Sequence, residues 1–255
     1  MPWFPGLVST LVILALLEAV ARSSLISTSA FPPVSLDLKA FFNLLGETSF
    51  WSAAADTMKG WGLGLGIAVG LAVPLGILIG ALPLFYRATR VLVEFLRPIP
   101  SVALIPLAVL VYGTGLQSKV FLVSFASVWP MLMHAVYGVR DIDPVAIDTA
   151  RSFRMGPLDR LRRVTLPSAV PYLATGLRIS SSVALILAVT TELVIGSPGL
   201  GRQIIVASSG GAYDLMYGLI IATGLIGLGL NAIFVSAQRR VLHWHPSVRV
   251  AGDRL

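Results

Sequence analysis

Six stretches of the chain are almost wholly apolar, near residues 5–24, 61–84, 92–113, 119–139, 168–195 and 215–237. Each is close to the roughly 20 residues that cross a bilayer as a helix. The pattern predicts an all-α integral membrane protein with about six transmembrane helices. Between the first two runs lies a polar stretch, 27–59, with a Pro32-Pro33 break and the apolar patch Phe41, Phe42, Leu44 and Leu45. It reads as an extended loop followed by an interfacial helix. The first run has no basic segment ahead of it and no clear small-residue cleavage site behind it, so it reads as a retained span. No solenoid-like period and no flexible linker divides the chain. The organisation expected is an N-terminal helix, extracytoplasmic loop and interfacial helix over 1–60, a core over 61–239 containing a loop at 140–167, and a cytoplasmic tail over 240–255.

Composition agrees. Of 255 residues, 56% are hydrophobic and 12% charged, against about 25% charged in ordinary soluble domains. The net charge of +7 does not point to nucleic acid, because the arginines sit in short loops between apolar runs. Arg87 and Arg90 follow the second run, Arg140 through Arg163 the fourth, and Arg239, Arg240, Arg249 and Arg254 the sixth. These loops fall on one side, and the positive-inside rule makes it the cytoplasm, with both termini there. The other side holds a sparse mixture that includes Arg22, Asp37, Lys39, Glu47, Asp56, Lys59, Lys119 and Arg202. With no cysteine, disulfides and thiol chemistry are excluded.

Small and polar residues inside the spans suggest packing and passage. Gly62, Gly66 and Gly70, and then Gly76 and Gly80, recur every fourth residue, a spacing that lets helix backbones approach. Pro74, Pro98, Pro100 and Pro106 are expected to interrupt helices within the membrane, and such breaks can line a pathway. Charge at membrane depth is costly. Glu94 and Arg97 read as i, i+3 partners. Glu192, with Thr190 and Thr191 beside it, reads either as facing a pathway or gate or as fastening two helices. Ser180, Ser181 and Ser182 form a polar patch deeper in the same span. Together with Arg97, Pro98 and Pro100 these are the candidate solute-pathway residues. The stretch 204–207, flanked by glycines, is a candidate gate helix. His134 reads as a packing residue, and His134, His243 and His245 offer no metal constellation. No phosphate-binding loop, nucleophile elbow or paired-carboxylate site occurs, so the chain is not expected to be an enzyme or to bind a cofactor itself.

The loop at 140–167 is ordered by local signals. Asp143 suits an N-cap and Pro144 a first helical position. Ala146, Ala150 and Phe153 share a face, and Asp148 and Arg151 sit one turn apart. Met155-Gly156-Pro157 breaks that helix, and a second short helix presents Leu158 and Leu161 beside Arg160, Arg162 and Arg163. A plain connector needs few residues and no apolar faces. These faces need a cover in the cytoplasm.

The loop resembles the coupling loop of binding-protein-dependent ABC importer permeases, whose pattern is Glu-Ala-Ala, three residues, Gly, nine residues, Ile, one residue, Leu-Pro. Asp148-Thr149-Ala150, Arg154, Val164 and Leu166-Pro167 fall at those positions. The departure that matters is Arg154 at the glycine, with Gly156 the candidate to take over the turn. Resemblance runs from Trp51 to Arg239. Leu96-Arg-Pro-Ile-Pro-Ser-Val-Ala-Leu-Ile-Pro-Leu107, Gly113-Thr-Gly-Leu-Gln-Ser-Lys-Val-Phe121, Val139-Arg-Asp-Ile-Asp-Pro144 and Gly199-Leu-Gly201 look like the taurine, alkanesulfonate and nitrate branch. The resemblance implies a type I importer permease fold in a bacterial inner membrane. Its implied partners are a cytoplasmic ATPase dimer that uses ATP and magnesium, an extracytoplasmic solute-binding protein, a second copy of the chain, and lipid. ATPase coupling then falls to Asp148, Thr149, Ala150, Phe153, Arg154, Met155, Gly156, Pro157, Leu158, Val164, Leu166 and Pro167. The solute implied is a small anion. The competing reading is a self-sufficient carrier or channel with Glu192 as its proton site.

Overall fold

The computed structural model describes residues 3–23 and 31–243, without the side chains of residues 3–5 and 7. Among the described residues every regular element is helical. They are α1 (Trp3–Arg22), α2 (Val34–Leu44), α3 (Thr48–Ala81), α4 (Pro83–Leu96), a 3₁₀ turn (Ser101–Leu104), α5 (Ile105–Tyr112), α6 (Leu116–Arg140), α7 (Pro144–Ser152), α8 (Pro157–Arg160), a π turn (Leu161–Thr165), α9 (Leu166–Ile195), α10 (Leu200–Ser209) and α11 (Tyr213–Val241). Among the described residues four helices are long and apolar enough to cross a membrane, and a fifth span counts if α4 and the 3₁₀–α5 segment are taken together. The expected first span corresponds to α1, 20 residues long. The tail residues from 244 on, His245 among them, lie outside the described residues.

Helix α6 is the centre of the bundle, packed along α3 on one side and α9 on the other. Small residues make this possible, and of those the spacing suggested Gly76 and Gly80 take part while Gly62, Gly66 and Gly70 do not. The α3 face that meets α6 carries Gly60, Gly64, Gly76 and Gly80, where an added Cβ would run into Lys119, Val123, Ala135 and Val139 respectively. Buried Ala68 and Ala72 continue that face. Gly62, Gly66 and Gly70 have no neighbour within 4 Å of a Cβ position. Two glycine series run half a turn apart on α3, and only the one matched by small or branched residues on α6 is used.

The third span is the other correction. Residues 92–113 do not form one helix: α4 ends at Leu96 and the next helical segment leaves at 80° to it. Pro98 and Pro100 remove two donors within three residues, so the helical ladder cannot pass through. Pro106 opens α5 instead of breaking it. Pro74 does not interrupt α3, nor do Pro130 and Pro171 interrupt α6 and α9. The carbonyls of Pro130 and Pro171 take side-chain bonds from His134 Nδ1 at 2.9 Å and Thr175 Oγ1 at 3.0 Å. Glu94 pairs with Arg90 at 2.8 Å and not with Arg97.

Toward the outer side, α2 packs on α11 and is tied to α1 through Glu18, which accepts from Ser35 N at 3.0 Å and Ser35 Oγ at 2.9 Å. The stretch up to residue 59, expected as an extended loop followed by an interfacial helix, carries α2 over Val34–Leu44 and is helical again from Thr48, so the division at 60/61 falls inside α3.

Candidate functional site: a cytoplasmic docking loop and an enclosed outer ion pair

Between the cytoplasmic ends of α6 and α9, residues 141–165 build a compact projection on fixed footings. Arg140 lies over the Tyr86 ring at 3.8 Å, and Tyr172 Oη donates to Asp141 at 3.3 Å. Gly138 packs against Ala169 and Tyr172. Helix α7 starts where Val145 N–H donates to Asp143 Oδ1 at 2.8 Å, with Pro144 in the first turn. Such a cap is worth about 1 kcal/mol.

The end of α7 is equally defined. Met155 N–H donates to Ala150 O at 3.1 Å and Arg154 N–H to Arg151 O at 2.8 Å, the paired bonds of a Schellman stop. That motif needs a left-handed residue, and Arg154 supplies it at φ 57°, the one non-glycine with positive φ among the described residues. Gly156 does not take over the turn: its φ is −62° and ψ 161°, an ordinary extended conformation. The hydrogen-bond pattern dictates which residue turns, and Arg154 bears about 1–2 kcal/mol of strain for it.

Beyond the turn, α8 does not form a separate helix. It passes through the π turn into α9, a continuous helix over Pro157–Ile195. The widened turn precedes Pro167, where the ladder must absorb a residue with no N–H. Of the candidate coupling residues, Ala150 is buried, and Met155, Val164 and Leu166 are half-buried, holding the projection together. Asp148, Thr149, Arg154, Gly156 and Pro157 are exposed, with Asp148 paired to Arg151 at 3.0 Å. Val145, Phe153 and Leu158 present apolar side chains to solvent at 70%, 78% and 58% exposure.

At the outer end the arrangement is the reverse. Glu192, read either as facing a pathway or gate or as fastening two helices, is fully enclosed. It pairs with Lys119 Nζ at 2.6 Å and accepts from Thr57 Oγ1 and Gly201 N–H, each at 2.9 Å. Lys119, read as an outer loop charge, is 2% exposed and also donates to Pro198 O at 2.6 Å and Asp56 O at 3.3 Å. Thr57 Oγ1 further accepts from Leu200 N–H at 2.9 Å. The cluster therefore staples α3, α6 and α9 and holds the first N–H groups of α10. Gly199, at φ 150°, passes so close to the Glu192 carboxylate that any Cβ would overlap it. Glu192 is thus a helix fastener, and no lone carboxylate repels anions at that depth.

The signal for Lys119 was in the sequence. It is the fourth residue of α6 from the outer end and Glu192 the fourth from the end of α9, so adjacent antiparallel helices bring them to one level.

The remaining candidates divide. Ser180 and Ser181 are buried and serve packing: Ser180 Oγ donates to Ser127 O at 2.9 Å, and Trp61 Nε1 donates to Ser181 O at 3.0 Å. Thr191 is buried, while the Thr190 and Ser182 hydroxyls bond back to their own helix. Ser182 is exposed and Thr190 half-buried. Arg97, Pro98 and Pro100 occupy the exposed turn between α4 and the 3₁₀ segment. The stretch 204–207 lies in α10, with Ile204 and Ala207 buried against the bundle.

Comparison with known proteins places this arrangement. Residues 72–243 match the family described as binding-protein-dependent transport system inner membrane component. The taurine transport system permease protein TauC of Escherichia coli (strain K12) is 31% identical over 243 residues, covering 93% of this chain and 88% of that protein. The putative aliphatic sulfonates transport permease protein SsuC of Bacillus subtilis (strain 168) is 26% identical over 96% of this chain and 89% of its own. The nitrate import permease protein NrtB of Leptolyngbya laminosa is 30% identical over 65% of this chain and 59% of that protein. In fold, a chain of the inward-facing MetNI methionine ABC transporter superposes with a TM-score of 0.67 at 18% identity, over 75% of this chain and 95% of that one.

Proposed function

This chain belongs to the binding-protein-dependent inner membrane components, the permease subunits of ABC importers, and from that premise we propose that it conducts a small anion inward and couples through the projection at 141–165. It is a non-catalytic, multi-pass inner-membrane subunit that works with an ATPase and a binding protein. The carrier or channel reading loses its proton site, since Glu192 is sealed in an ion pair.

The observation that carries the coupling role is Phe153 with Val145 and Leu158, bare on an element whose backbone is fixed at both ends. Burying a phenyl ring in a cleft of the ATPase stabilises contact by about 1.5–3 kcal/mol. The exposed cations around it, Arg151, Arg154, Arg162 and Arg163, suit an acidic rim. ATP and magnesium bind on the ATPase, and two copies of the chain form the pathway between two ATPase subunits. The anionic solute is supported by the relatives named for taurine, sulfonates and nitrate.

The test is co-purification with the candidate ATPase in lipid. Replacing residues 154–156, or Phe153→Asp, should abolish complex formation and solute-stimulated ATP hydrolysis. Uptake by proteoliposomes holding the permease alone would sink the proposal.

A further inference from the structure

Helix α4 buries none of its 14 residues, although large apolar side chains dominate it. Its level follows from its neighbours. Helices α3 and α6 run parallel, Gly60 meeting Lys119 and Gly80 meeting Val139, so α3 ends level with the cytoplasmic end of α6. Helix α4 starts there at Pro83, and Arg140 stacks on its Tyr86. It is only about 21 Å long, and the segment 101–112, which packs along α6, leaves it at 80°. Helix α4 therefore lies across the inner end of the bundle, close to the plane of the membrane surface.

Three faces run along it. Tyr86 and Val93, seven residues apart, pack against the core of Ile79, Leu132 and Val136. Leu84, Ala88, Val91, Leu92 and Phe95, at i, i+4, i+7, i+8 and i+11, share a second face that points away from the bundle. Leu84, Val91 and Phe95 on it are 76%, 74% and 71% exposed. Arg87, Arg90 and Arg97 fall on the flank between these two, with Glu94 the one carboxylate of the helix. Glu94 is taken by Arg90, which leaves Arg87 and Arg97 without an ion pair among the described residues. A segment that only sets topology needs arginines and no ordered apolar face. Here cations stand beside a bare apolar face at the level where headgroups meet acyl chains, the arrangement of a helix lying in an interface.

We propose that α4 is an in-plane docking helix for anionic phospholipid of the inner leaflet. Arg87 and its neighbours take the phosphates, and Leu84, Val91 and Phe95 lie among the acyl carbons nearest the headgroups. Charge decides the occupant. A second copy meeting this helix across a two-fold axis would bring the same arginines to the contact and set like charges together, whereas an anionic headgroup neutralises them.

The chain has no cysteine, so Ala88→Cys gives a single labelling site on the apolar face. The full chain carrying a bimane there is reconstituted in phosphatidylcholine liposomes that contain either brominated phosphatidylglycerol or brominated phosphatidylcholine, and quenching reports which lipid lies against α4. Phosphatidylglycerol should be preferred by about fivefold or more, the contribution of one cation near an anionic surface. That preference should fall toward parity in about 1 M salt. Arg87→Gln combined with Arg90→Gln should bring it to parity, whereas Arg87→Lys should keep it, and the melting temperature of each variant reports that it is folded. Equal quenching by the two lipids without those replacements overturns the proposal, as does a preference that survives the double replacement. Quenching by neither lipid, with oxidation joining two Ala88→Cys chains, overturns it in favour of a second copy on this face.

Discussion

The two ends of this molecule treat their polar and apolar groups in opposite ways. At the outer end, two full charges are withdrawn from solvent, and their oxygens and protons meet Thr57, Pro198, Asp56 and Gly201. At the cytoplasmic end, Val145, Phe153 and Leu158 are left in water on a helix-turn-helix with defined stops. The outer cluster is complete within one chain, so its role is to hold this chain's own helices. The inner projection is incomplete within this chain, which supports the coupling role proposed for it. Satisfaction, more than charge or depth, distinguishes the two ends.

The largest effect expected comes from breaking the complete site. Removing one member of a buried ion pair costs about 3–5 kcal/mol, because the other charge stays behind without a partner. Glu192→Ala or Lys119→Met should therefore lower the melting temperature sharply and expose α10, read by labelling of an Ile204→Cys reporter. The double replacement Lys119→Met with Glu192→Leu should recover much of that loss, although Gly201 N–H and Pro198 O then lose partners. Single variants that melt like the wild type would remove the distinction between the two ends. The incomplete site should behave oppositely. Phe153→Asp should leave the melting temperature unchanged and weaken ATPase association by more than about 2 kcal/mol, as expected for an anchoring aromatic. Loss of fold in that variant would mean that the ring holds this chain after all.

The same contrast explains what could be read from the sequence. The docking projection is made of local signals, a cap at Asp143, a proline after it and a stop near 154, and each acts within five residues. Even there, the residue that turns is Arg154 and not Gly156, because Schellman bonding is set by where α7 ends and not by where the nearest glycine lies. The outer cluster joins residues as far apart as Thr57 and Glu192, and only matching their depth on antiparallel spans would have paired Lys119 with Glu192. Glycine spacing on α3 was ambiguous for the same reason. Two series share one period, and the choice belongs to Val123, Ala135 and Val139 on α6. The break at Pro98 and Pro100 was visible as prolines, but its 80° angle depends on how α5 packs on α6.

Arg154 gives a smaller test, set at the edge of the incomplete site. Arg154→Gly relieves about 1–2 kcal/mol of left-handed strain and returns about 0.5–1 kcal/mol of chain entropy to the unfolded state. The net gain is about 0–1.5 kcal/mol, so exchange of the Met155 N–H, which closes the turn on Ala150 O, should slow by up to about tenfold. Faster exchange would show that arginine is held there by contacts that outweigh its strain.

A further test belongs to a charge that matches neither end. Asp37 on α2 is buried, yet its Oδ1 has no partner among the described residues. Burial, with the nearby charges of Asp214 and Glu18, pushes its carboxyl up from 3.8 to about 6. The folded state thus holds this proton more tightly than the unfolded chain does. Ionisation costs stability as pH rises from about 3.8 through about 6, and the cost is full above that. Packing of α2 on α11 should be tighter at pH 5 than at pH 7.5, seen as a higher melting temperature at the lower pH. Asp37→Asn keeps the shape without the charge, so it should remove the part of that difference that Asp37 causes and raise stability at pH 7.5. An identical pH dependence in wild type and variant would mean that Asp37 meets water or a partner on its open side, and the outer surface would then hold an incomplete site of its own.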